Sequence, residues 1–437
     1  MIKKILKLLE LCVLISLLYG MSQERSVEAS SVEDELRLWV ITDLHHLSPT
    51  LYEEGPRIQE MQTTGAGLEI FYSTERLQAL TYQIEHADNL PHALIISGDL
   101  TLNGEYMSLV ELQEIFSEIE QLGTEVYVIP GNHDIHNGWA SSFTESRAVR
   151  NKQITPQDFK ELMSSFGYQE AIYHDVSSLS YITQLRDDHW LVMLDSNIYL
   201  NEFNNQPPES KGRLSDGTLD WLSERLDLIK EEDVRVTFVL HHSSISHIEQ
   251  FGERFVVENS DRLTEILEEH HIPVTLSGHM HAQHIGQYTY QDNTGSIADI
   301  ATGAFSVQPS VIGEITIGEY GGSYHQVLLE VEHWAQQTMQ VDSNILNYNS
   351  YIQSVFTKAN EHINQNNEDS DDMTSLAKEL NLAFFAGNIS EIWEATVSSY
   401  GETIESITSE EVSFLNSYLL LLIDQAELNH KEYKWNY

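Results

Sequence analysis

Side chains able to coordinate a cation or to exchange a proton fall in five short stretches: Asp43-Leu44-His45, Gly98-Asp99, Gly131-Asn132-His133-Asp134, His241-His242 and Gly278-His279-Met280-His281. Each follows an apolar, partly β-branched run, at 38–42, 93–97, 126–129, 234–240 and 274–277, and such runs read as buried strands. Pro130 cannot continue a central strand and Gly131 permits a sharp turn, so the third run ends there. In open α/β sheets, ligands bind at the carboxyl ends of strands. Asp43 and His45, like His279 and His281, are two residues apart, which on an extended backbone directs both side chains to one face. Singly, a strand-end aspartate can cap a turn and a strand-end histidine can be a satisfied structural residue. Five such strand ends together are not explained that way, because buried polar groups without a shared partner are costly. By the same extended geometry His46 and His242 point to the opposite side and are structural. His136 and His284 are expected on loop surfaces, with a place in a substrate groove as the alternative, and Asp195 either supports the site or caps a turn.

Helical repeats alternate with the strands. One spans 73–87, with Ser73 as N-cap and Glu75 in its first turn; another spans 104–122, with Leu109, Leu112, Ile115 and Ile119 on one face and Gly123 at its end. This alternation predicts parallel strands covered by helices. Residues 139–175 read as an irregular insertion near the site, and 181–185 with 190–194 as a hairpin. Residues 201–217 form a long loop into a helix at 218–230. A helix at 261–270 and β segments at 297–302 and 327–331 follow. Beyond residue 340 four amphipathic stretches, 345–363, 373–386, 389–406 and 409–430, with a polar connection at 364–372, predict an all-α bundle without clustered chemistry.

At 437 residues the chain is long for one core, and the change of texture divides it into a principal domain at 36–335 and the bundle at 340–437. Its 23 basic and 68 acidic residues give a net charge of −45. That field disfavours a nucleic-acid duplex as partner and repels anionic substrates, which would need local cations to bind. Lys3, Lys4 and Lys7 precede an apolar run at 8–18 broken only by Glu10. With the polar stretch after it, this reads as a signal peptide and leader over 1–30, shorter than the roughly 20 residues of a membrane span. The expectation is export to the cell envelope or beyond, with no stable span after cleavage. The only cysteine, Cys12, lies inside this leader behind Leu9-Glu10-Leu11, which lacks the small residues of a lipidation box. The remainder has no thiol for a disulfide or a metal.

The ordered set Asp-x-His, Gly-Asp, Gly-Asn-His-Asp, His and Gly-His-x-His resembles the calcineurin-like metallophosphoesterase superfamily over roughly residues 36 to 335. The resemblance implies a four-layer α/β/β/α sandwich holding two divalent metal ions, with Mn, Fe or Zn suited to a thiol-free N/O donor set. Asp43, His45 and His281 would ligate the first ion, Asn132, His241 and His279 the second, and Asp99 would bridge them. Such a pair clamps the attacking and leaving oxygens of a phosphoryl displacement and supplies a hydroxide nucleophile. His133 resembles the residue that bonds the phosphoryl group and assists the leaving alkoxide, with Asp134 orienting its ring.

Purple acid phosphatases carry a ligating Tyr where this chain has Leu102. Protein phosphatases read Asp-x-x-Asp-Arg-Gly where this chain reads Asp99-Leu100-Thr101-Leu102-Asn103-Gly104. That form looks like the class III cyclic nucleotide phosphodiesterase and glycerophosphodiesterase branch, whose exported members carry a C-terminal helical domain. The implied activity is metal-dependent hydrolysis of cyclic nucleotides or similar small phosphate diesters. The alternative is a phosphomonoesterase, nucleotidase or phospholipid-headgroup hydrolase on the same site.

Overall fold

The alternating apolar runs pair into two sheets whose strand ends meet along one edge. The computed structural model describes residues 35–199, 205–231, 234–291, 295–361, 371–407 and 414–437. The leader with Cys12, much of the connection at 364–372, part of the 201–217 loop and the start of the 409–430 stretch lie outside the described residues.

In the first sheet β1 (Leu36–Ile41), β2 (Ala93–Ser97) and β3 (Glu125–Ile129) run parallel, with Val40 opposite Ile95 and Ile95 opposite Tyr127. β3 is an edge strand, which is why Pro130 can follow it directly. A separate hairpin, β4 (Ser141–Thr144) and β5 (Arg147–Arg150), occupies the stretch expected to be irregular.

The second sheet takes β6 (Tyr173–His174), β7 (Tyr181–Arg186), β8 (His189–Leu194), β9 (Arg235–Leu240), β10 (Val274–Ser277), β11 (His284–Thr289) and β12 (Ser296–Ala301) in the order β11-β12-β10-β9-β8-β7-β6. It is parallel from β8 to β12 and antiparallel at both edges. β13 (Val311–Ile317), β14 (Gly321–Leu328) and β15 (Glu432–Asn436) complete the first sheet in the order β15-β14-β13-β1-β2-β3. The β segment expected at 327–331 is therefore the end of β14 and the start of a helix. The sheets meet where Tyr181, fully buried, donates its hydroxyl to the Val128 carbonyl at 3.0 Å.

The helices are α1 (Pro56–Thr64), α2 (Ser73–Glu85), α3 (Tyr106–Gln121), α4 (Pro156–Leu162), α5 (Asp216–Glu231), α6 (Ser260–Glu269), α7 (Val331–Gln337), α8 (Tyr348–Ala359), α9 (Asp371–Phe385), α10 (Ile389–Ser406) and α11 (Phe414–Ile423). α3 buries Leu109, Leu112, Phe116 and Ile119 and packs on β3. α5 and α6 bury Leu219, Leu222, Leu226, Leu263 and Leu267 in one cluster with Val192, Val236 and Phe238 of the second sheet. Each such side chain contributes roughly 1.5–3 kcal/mol by leaving water. Among the described residues no helix is long and apolar enough to cross a membrane.

One local expectation changes. Ser73 does not cap α2: its hydroxyl bonds His46 Nδ1 at 3.0 Å, while Glu69 accepts the free N–H groups of Phe71 and Tyr72. The buried guanidinium of Arg76 pairs with Glu69 there, and Tyr348 and Tyr351 of α8 close the network. The C-terminal region is the expected helical domain, and its helices also pack on elements that precede it. α8 packs on α1 through Phe356, Ile58 and Leu68. α9, α10 and α11 share their core with Ile248, Met280, Ala282 and Ala301. The last residues leave the helical region altogether, and β15 pairs antiparallel with β14.

His430 holds that return path. Its Nδ1 accepts from Ile285 N–H (3.0 Å), its Nε2 donates to Gln425 Oε1 (3.2 Å), and its carbonyl accepts from Gln283 (2.7 Å). Its ring stacks on His284 at 3.8 Å, so His284 is a buried strand residue and not loop surface. Burial depresses the His430 imidazole to about 4. The unfolded chain, with an ordinary imidazole near 6.5, therefore takes up its proton first as pH falls. The stability His430 contributes is complete above pH 6.5 and is lost between 6.5 and 4. Thermal melts at pH 7 and pH 5 should show wild type losing about 2 kcal/mol more than His430→Gln; equal losses would remove His430 from the account.

Candidate metal centre

The five stretches meet where β1, β2 and β3 of one sheet end beside β9 and β10 of the other. The chain after β1 runs alongside the chain after β2, with Asp43 N–H donating to Gly98 O (3.1 Å) and His45 N–H to Asp99 O (3.0 Å). Across the sheets, His279 N–H donates to Asp43 Oδ2 at 3.0 Å. Asp43, His45, Asp99, His279 and His281 all have left-handed backbone, with φ between 44° and 63°. The expectation that extended backbone directs each i, i+2 pair to one face is thus corrected. His279 and His281 turn into different groups. Left-handed L-residues cost about 1 kcal/mol or more each and are retained where the surroundings fix them. Glycines of the motifs permit the close approach. A Cβ on Gly98 would lie 2.5 Å from His241 Nδ1, and one on Gly131 would collide with Asp99.

Asp43, His45, Asp99 and His281 form one group whose donor atoms lie within 4.8 Å of one another, and Asp99, His241 and His279 form a second. Either could hold a metal ion, and Asp99 belongs to both. Asn132 joins the second group, its Oδ1 lying 3.1 Å from His241 Nε2. Backbone carbonyls set the imidazoles: His241 Nδ1–H donates to Ser97 O (2.8 Å) and His279 Nε2–H to Ser210 O (2.9 Å). The opposite nitrogens are thereby left as lone-pair donors, as metal-ligating histidines require. Each carboxylate is divided in the same way. Asp43 Oδ2 accepts from Thr42 and His279, while Oδ1 is buried without a hydrogen bond, 3.4 Å from His281 Nε2. Asp99 Oδ1 accepts from His133 N–H, and Oδ2 lies 3.4 Å from His241 and 3.6 Å from His45.

Two ring nitrogens 3.2 Å apart (His45 and His281 Nε2) beside an orphaned carboxylate oxygen are what a divalent ion would draw together. The charge balance agrees. Burial alone would raise both carboxyl groups, but His281 and His241 hold Asp43 at about 2, and His241 and His133 hold Asp99 well below its usual value. Burial pulls His45 to about 3 and His279 to about 4, whereas Asp99 overrides burial and lifts His241 to about 9. Among the described residues the ion-pair partners of these two carboxylates are imidazoles.

His133 stands at the mouth of the centre, its ring 4.8 Å from that of His45. The expected role of Asp134 needs correction. His133 Nδ1–H donates to the Leu102 carbonyl at 2.8 Å, and no bond to Asp134 orients the ring. The Asp134 carboxylate instead accepts from Gly131 N–H (2.8 Å), Leu100 N–H (3.1 Å) and both the N–H and hydroxyl of Thr101. It ties the loop after β2 to the loop after β3, and so places Asp99 and His133 indirectly. Burial raises this carboxyl to about 6.

His46 and His242 are structural as expected, bonded to Ser73 and Ser196 respectively. Asp195 caps its turn by accepting from Leu179 and Asn197, and Asn197 in turn donates to the Pro130 carbonyl. His136 is buried, contrary to its expected surface position. The sequence reading missed Ser97 and Ser210, which act through carbonyls that any residue type supplies.

Two openings reach the centre. A groove of about 690 Å³ is bounded by His45, His133 and His281. A cleft of about 400 Å³ is bounded by Asp99, Asn132, His279 and, from the end of α9, Phe385.

Residues 36–283 match the calcineurin-like phosphoesterase family, and residues 330–429 match the C-terminal domain of cyclic nucleotide phosphodiesterase. A Rhodococcus erythropolis protein named "Probable cyclic nucleotide phosphodiesterase" is 24% identical over 210 residues, covering 48% of this chain and 58% of its own length. Among solved structures, a dimetal phosphatase from Danio rerio aligns with a TM-score of 0.47 at 13% identity, over 67% of this chain and 95% of its own. A purple acid phosphatase from yellow lupin aligns at 0.41 and 10%, over 67% and 51%.

Because Asp99 is common to both groups and Asp43 belongs to one, their replacement should differ. After loading with Mn²⁺ and desalting, elemental analysis should find Asp99→Ala nearly metal-free and Asp43→Ala with about half the wild-type content. Equal retention by the two variants would separate Asp99 from a bridging position.

Proposed function

Since the chain belongs to the calcineurin-like phosphoesterase family and is a hydrolase of phosphoric esters, we propose that it is a dinuclear phosphodiesterase acting on cyclic nucleotides or similar small diesters. The observation that carries this reading is the pair of buried N/O groups sharing Asp99, with the free ring nitrogen of His133 beside them. The C-terminal match and the name of the Rhodococcus relative support the choice of diester. The apolar run behind Lys3, Lys4 and Lys7 supports export, so the diester would be met outside the cytoplasm.

In this reading Asp43, His45, Asp99 and His281 hold one divalent ion, and Asp99, Asn132, His241 and His279 hold the other. When bound, the ions supply Lewis acidity that neutralises phosphate charge and makes water acidic. The chain supplies the rest. Its carbonyls at Ser97 and Ser210 keep two imidazoles in the tautomer that faces the site. The Leu102 carbonyl fixes a proton on His133 Nδ1, so the second proton of its imidazolium sits on Nε2 and points to the opening. Water adds to phosphorus, the P–O bond to the departing arm breaks, and the alkoxide takes that Nε2 proton. The proton released by the water restores the imidazolium. The products are a phosphate monoester and an alcohol.

With Mn²⁺ the enzyme should hydrolyse bis(p-nitrophenyl) phosphate faster than p-nitrophenyl phosphate. The reverse order would favour the phosphomonoesterase, and no turnover beyond that of Asp99→Asn would end the proposal. His133→Asn should lower kcat by about 10²–10⁴ on a cyclic nucleotide, whose alkoxide needs the proton, and by much less on the nitrophenyl diester. A uniform loss on both would remove His133 from the proton transfer.

A further inference from the structure

The charged side chains that line the groove beside the centre, its histidines aside, are basic in a strongly acidic molecule. In a chain with 68 acidic and 23 basic residues, no aspartate or glutamate lines it among the described residues, while Arg57 and Arg150 both do. Arg57 lies in the first turn of α1, 38% exposed, with one N–H given to Glu60 at 2.6 Å. Arg150 is the exposed last residue of β5. Between the arginines and the imidazoles the lining turns apolar, with Met61, Leu68, Ile70 and Phe143. Trp139 stands at the same groove with 48% of its surface in water. Half-wet Trp is suited to stacking on a ligand.

The walls are preformed. Arg57 N–H donates to Glu145 O in the turn of the β4–β5 hairpin (3.3 Å), and Glu53 N–H donates to Phe143 O (2.8 Å). Behind them Leu68, Ile70 and Phe143 share a cluster with Phe356 of α8. A reacting phosphate held among His45, His133 and His281 would leave this space to whatever is esterified to it. A monoester or a diester of two small alcohols would leave it unfilled. A cyclic nucleotide offers a flat ring but no second anion for the arginines.

Building on the phosphodiesterase reading, we infer that this groove binds the second ester arm of the substrate, and that this arm is apolar and carries a negative charge of its own, recognised by Arg57 and Arg150. Of the diesters that reading allows, the groove favours an acyclic one with one apolar, anionic arm over a cyclic nucleotide. The arginines act as specificity-determining side chains.

Three p-nitrophenyl diesters with the same leaving group test this: the second arm is methyl, phenyl or 4-carboxyphenyl. In wild type loaded with Mn²⁺, kcat/KM should rise in that order, with the carboxylate worth about fivefold over phenyl for partly exposed charge-assisted bonds. In Arg57→Ala/Arg150→Ala the carboxyphenyl-to-phenyl ratio should fall to about one through KM, and Arg57→Lys/Arg150→Lys should restore part of it. Trp139→Ala should shrink the phenyl-to-methyl ratio. Equal kcat/KM across the series in wild type, or arginine variants that depress all three diesters alike, would overturn the inference while leaving the phosphodiesterase reading intact. Turnover of none of the three would instead overturn that reading itself.

Discussion

Two carboxylates, Asp43 and Asp99, lie almost wholly out of water with imidazoles as their ionic neighbours, and much of the molecule follows from keeping them there. Burying such charges without compensation would cost several kcal/mol apiece. Each is therefore half satisfied by N–H or O–H donors from the scaffold and half presented to the centre. That division requires donors at fixed positions, which requires tight loops, and the loops in turn require left-handed backbone at five of the presenting residues. The sheets behind them are buried and apolar, which is what can over-determine so strained an edge. Asp134 serves the same end at one remove, spending its oxygens on the loops and none on the His133 ring.

The members of the site were legible in the sequence because residue type carries the information: carboxylate, imidazole and amide at strand ends have few other uses in such number. The strands β1, β2, β3, β8, β9 and β10 were equally legible, being short apolar runs cut off by turn residues. What sequence could not carry was backbone conformation. Nothing in Asp-x-His distinguishes an extended pair from two left-handed residues, so the convergence of the site was expected for the wrong geometric reason. Main-chain partners were invisible for the same cause: the Leu102 carbonyl that holds His133 would be there with any residue at 102. β11 went unseen because its His284, Gly286 and Gln287 broke the apolar pattern, although His284 is buried by stacking on His430.

The helical region was expected to explain its amphipathic faces by packing on itself. It does so only in part. Leu376, Leu380 and Leu419 close over Met280 and Ala282, which flank His281 of the candidate centre, and Phe385 reaches the cleft. Phe356 supports the floor of the arginine-lined groove from beneath. The region is thus a wall of the site as well as a neighbour to it, and its apolar faces are divided between the two tasks.

The pairing of β15 with β14 has a consequence in time. The two strands lie far apart in sequence, and every helix of the C-terminal region falls between them. Loop closure of that length is entropically slow, and contacts of high sequence separation form late in folding. Until it closes, the outer face of β14 presents unpaired backbone N–H and C=O groups, a template for joining another chain edge to edge. β15 therefore acts as a seal on this edge, covering backbone that β14 would otherwise offer to another chain.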